Sequence, residues 1–478
     1  MSEPAPQASF LWHDYECFGA DPRRDRPSQF ACWRTTAELD PIDEPRSWHC
    51  QPPPDYLPDP YACILTGQFP DDLLDRGLPE PAFAAVVHAA LSQAGSCNVG
   101  YNNLRFDDEV TRHLFWRNFL DPYAHEWAHG NTRFDLIDVL RLAHALRPLG
   151  MVWPRRDDGA PSFKLQHLAA ANGVAQVRAH DATDDVVALV GLARKLKAAQ
   201  PRLWRHALGL RSRSAVGALL DLEQPRALLH VSQRFRAERG CLAMVWPLVR
   251  HPQIAGRILL VDLDVDPACW ADCSAETLAE RWFAPRGSEV ERPPLKAVQW
   301  NRVPMLAPLS VLEGVDTARI RLDVERNLAH LAALRTRADL AQRVVQALWL
   351  QQQAGRADDA DVDSALYDGF VSEADRQLSL RALRDGGSSE PPFGDARLTA
   401  LWWRRRARWF GATLSPQEQH RWRAEVAIRL HSGAGGWRSF EAFAEQLLAC
   451  RTQGHGTAPD FARLEAWAES RRQLFPQN

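Results

Sequence analysis

The stretch Phe10-Leu-Trp-His-Asp-Tyr-Glu-Cys-Phe-Gly19 constrains this chain more than any other. It is an apolar run of strand type that carries Asp14 and Glu16 near its end, and alternate residues of a strand point to one face. Two carboxylates side by side on a core strand repel each other and lose hydration, which calls for a cation between them. A divalent metal is the natural counter-charge.

The same test sorts the other acidic clusters. Asp107, Asp108 and Glu109 fall in the first turn of a helix that begins after Leu104-Arg-Phe106. The helix dipole alone favours acids there, so their spacing leaves structural and functional readings open. Residues 179–196 read as another helix, in which Asp185, Leu189, Leu192 and Leu196 share a stripe at i, i+4, i+7 and i+11. A carboxylate on a buried stripe is paired or metal-bound, so Asp185 is the functional candidate. Asp181 is placed to cap the helix, and Asp184 lies on the opposite flank. His180, just ahead, can swing over the same site. Asp135 and Asp138 support the fold or orient a neighbour, and Asp157-Asp158-Gly159 is turn chemistry.

A chain of 478 residues divides into about three domains on the usual size prior. Pattern changes place them at 1–200, 201–354 and 355–478. Gln51–Pro60 is proline-rich and predicts an extended loop over the surface. Beyond Pro201, strand-like runs at Ala227–Val231, Arg257–Val261 and Leu295–Trp300 predict a β-rich domain. Within it Arg234, Phe235, Arg236, Arg239, Trp246, Arg250, Lys296, Trp300 and Arg302 interleave basic and aromatic side chains. Such a pattern either holds a phosphate backbone and stacks bases, or forms an ordinary solvated rim. From Gly355 the pattern is helical. Seven arginines face one acid between Arg397 and Arg423, which predicts an electropositive surface, with Trp402 and Trp403 more in keeping with core.

A net charge of −3 excludes a uniformly basic coat but not nucleic acid, because phosphate contacts need only a local patch. The sequence contains no run of about eighteen apolar residues, the length a helix needs to span a bilayer. The first residues lack a signal-peptide pattern, which predicts a cytoplasmic protein. Among nine cysteines only Cys269 and Cys273 lie close, two soft ligands short of a zinc site.

The order Asp14-x-Glu16, Asp107, then His180 with Asp185 five positions on, resembles the DEDDh exonucleases. Longer strings narrow the resemblance: Phe10-Leu-Trp-His-Asp-Tyr-Glu16, Gly100-Tyr-Asn-Asn-Leu-Arg-Phe-Asp-Asp-Glu-Val-Thr-Arg112, Asp121-Pro-Tyr123, Pro161-Ser-Phe-Lys-Leu165, Ala179-His-Asp-Ala182 and Leu366-Tyr-Asp-Gly-Phe370. Together they are similar to bacterial exonuclease I, a family of single-strand-specific 3′ to 5′ deoxyribonucleases acting in DNA repair and recombination. The resemblance covers most of the chain and is weaker in the last third. It implies an α/β ribonuclease-H-like exonuclease domain, an SH3-like β-barrel domain and an all-α C-terminal domain, the latter two closing around the strand.

By the same resemblance Asp14, Glu16, Asp107 and Asp185 would hold two Mg2+ ions, with Mn2+ able to substitute, and His180 would be the general base. Glu16, Arg112, Tyr123, Trp127, Arg141 and Lys164 fall where the family contacts DNA. Lys164 stands where arginine is expected, which keeps the charge but loses a bidentate phosphate grip. Arg147 matches a position that meets the acidic C-terminal tail of single-stranded DNA-binding protein. A monomer is implied. Two rival readings stay open: a 3′ exoribonuclease, because the handling of a 2′-hydroxyl is not legible in the residues, and a catalytically inactive single-strand-binding module, against which all five catalytic positions are occupied.

Overall fold

The structure, a computed structural model, describes residues 8–174, 181–285, 287–353, 361–384 and 390–477. Two compact units emerge. One comprises Met1–Thr132, Gln176–Val190 and Asp358–Asn478, the other Arg133–Ala175 and Gly191–Ala357. Compactness thus groups the chain differently from the linear division into 1–200, 201–354 and 355–478.

The strands of a five-stranded sheet are β1 (Ser9–Cys17), β2 (Pro27–Thr36), β3 (Arg46–His49), β4 (Ser96–Gly100) and β5 (Thr132–Asp135), in the order β3-β2-β1-β4-β5. Four of them, β1 to β4, organise the first unit, and Thr132, where β5 begins, is the last residue of that unit's first segment. β1 is central, antiparallel to β2 and parallel to β4. Every residue of β1 is buried except Asp14, which is half-buried. The parallel pairing runs only from Ser9 to Trp12, so Asp14 and Glu16 stand beyond it, at the carboxyl end of the strand. That end of an open α/β sheet is where ligands bind. The β1–β2 register shifts between Glu16 and Cys17, a bulge that ends regular pairing next to the acids. Leu11, Tyr15 and Phe30 pack with Phe83 and Val87 of the helix Glu80–Leu91 and with Val110 and Leu114 of the helix Asp107–Arg117.

The C-terminal helices of this unit correct two sequence expectations. The proline-rich stretch is not a surface loop: Asp55, Tyr56 and Leu57 are buried, Trp467 Nε1 donates to the Tyr56 carbonyl (3.1 Å), and Trp422, Trp437 and Trp467 share its core cluster. The arginine run is not an electropositive surface either. Arg404, Arg405 and Arg406 are buried, and Arg408 bridges Asp55 (2.8 Å) and Asp363 (2.7 Å). Arg26 meets Asp363 at 2.5 Å and Arg429 meets Asp55 at 2.9 Å. Buried arginines require such partners, and in the Arg408–Asp55, Arg26–Asp363 and Arg429–Asp55 pairs the partner lies hundreds of residues away in sequence.

The second unit holds an antiparallel sheet of β6 (Leu228–Val231), β7 (Leu242–Arg250), β8 (Arg257–Asp262), β9 (Leu295–Gln299) and β10 (Leu306–Pro308), ordered β10-β6-β7-β8-β9. It is strongly coiled. Lys296 of β9 reaches His230 of β6, Nζ to Nε2 2.5 Å, although two strands separate them in the sheet. His230 Nδ1 lies 2.9 Å from the Met305 carbonyl oxygen, so Nδ1 carries the proton and Nε2 accepts from the lysine. Among the described residues no helix is long and apolar enough to cross a membrane.

Candidate active site

Three of the acids singled out in the sequence converge. Asp14 and Glu16 project from β1, and a carboxylate oxygen of each lies within 4.8 Å of one from Asp185. No other group of three His, Cys, Asp or Glu side chains comes together so closely among the described residues. The cysteines, Cys269 and Cys273 included, are free thiols.

Asp185 reaches the strand because the start of its helix, Ala182–Ala199, is fastened there. Leu189, Leu192 and Leu196 are fully buried, as the stripe required. Asp181 accepts from the Thr183 backbone N–H (3.0 Å), the expected cap. The Ala182 N–H donates to Oε1 of Gln29 at 3.3 Å, and Gln29 is the β2 residue in register with Glu16. Gln29 is itself buried and held by Ser47 and Gln68. It was invisible as a site residue in the sequence, since only the strand register brings it beside Glu16.

Asp107 opens the helix Asp107–Arg117, and its Oδ1 accepts from the Tyr15 backbone N–H (3.2 Å) between the two strand acids. The Tyr15 hydroxyl lies 2.9 Å from Thr111 Oγ1, one turn along the same helix. Both ends of Tyr15 therefore dock the helix on β1. Asp107 is outside the tight triplet but within reach of its field: burial, then Asp107, Asp185 and Glu16, raise the Asp14 pKa well above the carboxylate range. Burial, then Asp185, Asp107 and Asp181, push Glu16 up to about 8. Crowded carboxylates in a desolvated site either share protons or share a cation, and their hard oxygen donors fit a divalent ion. His180 lies outside the described residues.

Of the residues placed on DNA by resemblance, Tyr123 and Trp127 are open to solvent, Trp127 at 61% exposure. Arg112 is buried instead. Its Nε donates to Glu126 and its Nη1 to Glu109, both at 2.7 Å, and its guanidinium lies 5.4 Å from the Tyr123 ring centre. In the second unit Arg141 is also buried, donating to Asp138 (2.7 Å) over the Phe163 ring, so Asp138 does orient a neighbour. Lys164 is exposed just before the helix Leu165–Ala171. Arg147 donates to the carbonyls of Leu146 (2.6 Å) and Val311 (3.0 Å).

Comparison with known proteins settles the family. Residues 11–193 match the Exonuclease model, 211–349 the Exonuclease I SH3-like domain and 360–474 the Exonuclease I C-terminal domain. Exodeoxyribonuclease I of Escherichia coli (strain K12) is 40% identical over 428 residues, 88% of this chain and 90% of that protein. The chain belongs to the exonuclease I family. Its architecture is accordingly a ribonuclease-H-like exonuclease domain, an SH3-like domain and a helical C-terminal domain, and the exonuclease family is metal-dependent. E. coli Exonuclease I in complex with a dA16 oligonucleotide superposes with a TM-score of 0.92 at 37% identity, over 98% of this chain and 100% of that one. The zinc ion bound form of an E. coli ExoI–ssDNA complex gives 0.90, and an ExoI/SSB-Ct complex 0.89, at the same identity and coverage.

Proposed function

We propose that this protein is an exodeoxyribonuclease that degrades single-stranded DNA from the 3′ end and releases nucleoside 5′-monophosphates, with two Mg2+ ions held by Asp14, Glu16, Asp107 and Asp185. The convergence of Asp14, Glu16 and Asp185 carries the reading, because three crowded carboxylates offer hard oxygen donors close enough together to share one divalent cation. Mg2+ is the expected ion, since carboxylate and phosphate oxygens are hard ligands, and Mn2+ substitutes. When bound, the ions supply Lewis-acid stabilisation to the attacking and leaving oxygens. His180 takes the proton from the attacking water, a task suited to an imidazole that is mostly neutral near pH 7. In-line displacement at phosphorus frees the terminal nucleotide and leaves a new 3′-hydroxyl one residue back.

Tyr123 and Trp127 offer faces for unpaired bases, Arg141 and Lys164 meet phosphates, and Arg112 works through Tyr123, whose ring it backs. The DNA-bound relatives support the substrate, and the ExoI/SSB-Ct complex supports a second partner, the C-terminal tail of single-stranded DNA-binding protein, received at a surface that includes Arg147. The protein works in the cytoplasm as a monomer in DNA repair, with 1–200, 201–354 and 355–478 as its functional domains. The test is digestion of 3′- and 5′-labelled single-stranded DNA, duplex DNA and RNA with and without Mg2+. Mononucleotide release from the 3′ end of unpaired DNA, dependent on Mg2+, is the expected result. Equal digestion of RNA would favour an exoribonuclease, and binding without cleavage the inactive module.

A further inference from the structure

The helix Asp107–Arg117 has two working faces. Asp107 and Thr111, one turn apart, face Tyr15 of β1. Glu109, Arg112, His113 and Trp116 follow at i, i+3, i+4 and i+7, the spacing of a single stripe, and that stripe faces the segment 361–367. The Tyr367 hydroxyl donates to Glu109 Oε2 (2.5 Å) and accepts from Arg112 Nη1 (3.2 Å). The His113 ring stands edge-on to the Tyr367 ring, centres 5.6 Å apart. Trp116 Nε1 donates to the Val362 carbonyl (2.8 Å), and Leu366 packs in one cluster with Trp116. Nothing in the cleavage chemistry uses these contacts, yet together they hold the helix that presents Asp107, and the one to Glu109 falls in its first turn.

We infer that Tyr367 is a positioning residue for the metal site: its hydroxyl, through Glu109 and Arg112, fixes the start of the helix and thereby the Asp107 carboxylate. The C-terminal segment then acts on metal binding from a distance, and the hydroxyl is the only atom of Tyr367 the role requires. This rests on the proposed reading of Asp107 as a metal ligand. Partners beyond the ligands themselves commonly change metal affinity by about 10–100-fold.

The experiment titrates Mn2+ into the full-length protein without DNA by calorimetry, and separately measures the Mg2+ dependence of single-stranded DNA digestion, for wild type, Tyr367→Phe, Glu109→Gln and the double variant. Tyr367→Phe keeps the ring against His113 and changes no charge, so it is the decisive variant, while Glu109→Gln preserves volume should the first fold poorly. Mn2+ affinity is expected to fall about tenfold in Tyr367→Phe, with the Mg2+ requirement rising in parallel and KM for DNA unchanged at saturating Mg2+. The double variant should be no worse than the poorer single, because the two side chains act as one unit. Unchanged Mn2+ affinity in folded Tyr367→Phe overturns the inference. A raised KM for DNA at unchanged metal affinity also overturns it, assigning Tyr367 to the strand instead. A wild type that binds Mn2+ but digests no DNA sinks the functional reading and leaves the calorimetric comparison standing.

Discussion

At the scale of single residues, Asp14 is placed against the interest of stability. Replacing it with Asn relieves the mutual repulsion of the acidic cluster and removes a proposed metal ligand. We expect Asp14→Asn to abolish cleavage, leave binding of single-stranded DNA largely intact, and raise the melting temperature of the metal-free protein; a lower melting temperature in EDTA would contradict the electrostatic account. The pH dependence follows from Glu16. Its folded, metal-free pKa near 8 lies above the ordinary value of about 4.3. Between those values the folded state holds more protons than the unfolded state, so this group makes stability fall as pH rises. Thermal melts across that window should show the decline in EDTA and its loss in excess Mg2+. His180→Ala should lower kcat by orders of magnitude, measured as nucleotide release at saturating DNA. Asp14, Glu16 and Asp185 stood out in the sequence because carboxylates on a core strand, and one on an otherwise leucine stripe, violate burial rules that other residues obey; His180 carried no such mark, and its role as general base came from the resemblance.

At the scale of elements, period-two and period-3.6 patterns were enough to find β1 and the helices that carry Asp107 and Asp185. They were not enough to bring them together. Gln29 does that for the helix Ala182–Ala199, accepting from its first N–H next to Glu16. Gln29→Ala leaves a buried N–H without that acceptor, at a cost of about 1–3 kcal/mol, and should loosen Asp185. Urea unfolding and Mn2+ titration of the variant check both effects, and wild-type metal affinity would remove Gln29 from the site. The arginine run shows the opposite limit. A helix rich in Trp and Arg looks like a basic surface until acids from elsewhere in the chain, here Asp55 and Asp363, are known to lie under it.

At the scale of the whole molecule, the buried ions tie the ends of the chain into one compact unit. Asp363 receives Arg26, Arg404 and Arg408, and Asp55 receives Arg408 and Arg429. The arginines hold both carboxyls below the usual range against the opposing effect of burial. Their contribution is therefore complete above the unfolded value of about 3.9 and is lost as pH falls toward the folded values. Asp363→Asn, which strands buried guanidinium groups, should destabilise the protein by about 3–5 kcal/mol in urea titrations. It should also weaken the acid-dependent loss of stability expected below about pH 4. A variant as stable as wild type would show that the network contributes nothing net.

The amino-acid order alone marked Asp14, Glu16 and Asp185 as acids out of place in a core, because a charge on a strand or stripe meant for the core announces itself locally. It also determined the succession of α/β, β-rich and helical segments, since periodicity is a property of neighbours in sequence. Only the tertiary structure decided which charges are spent on each other. Ion pairs between residues hundreds of positions apart, the register that sets Gln29 beside Glu16, and the contact of Tyr367 with the Asp107 helix depend on chain return, and no local pattern records where a chain returns.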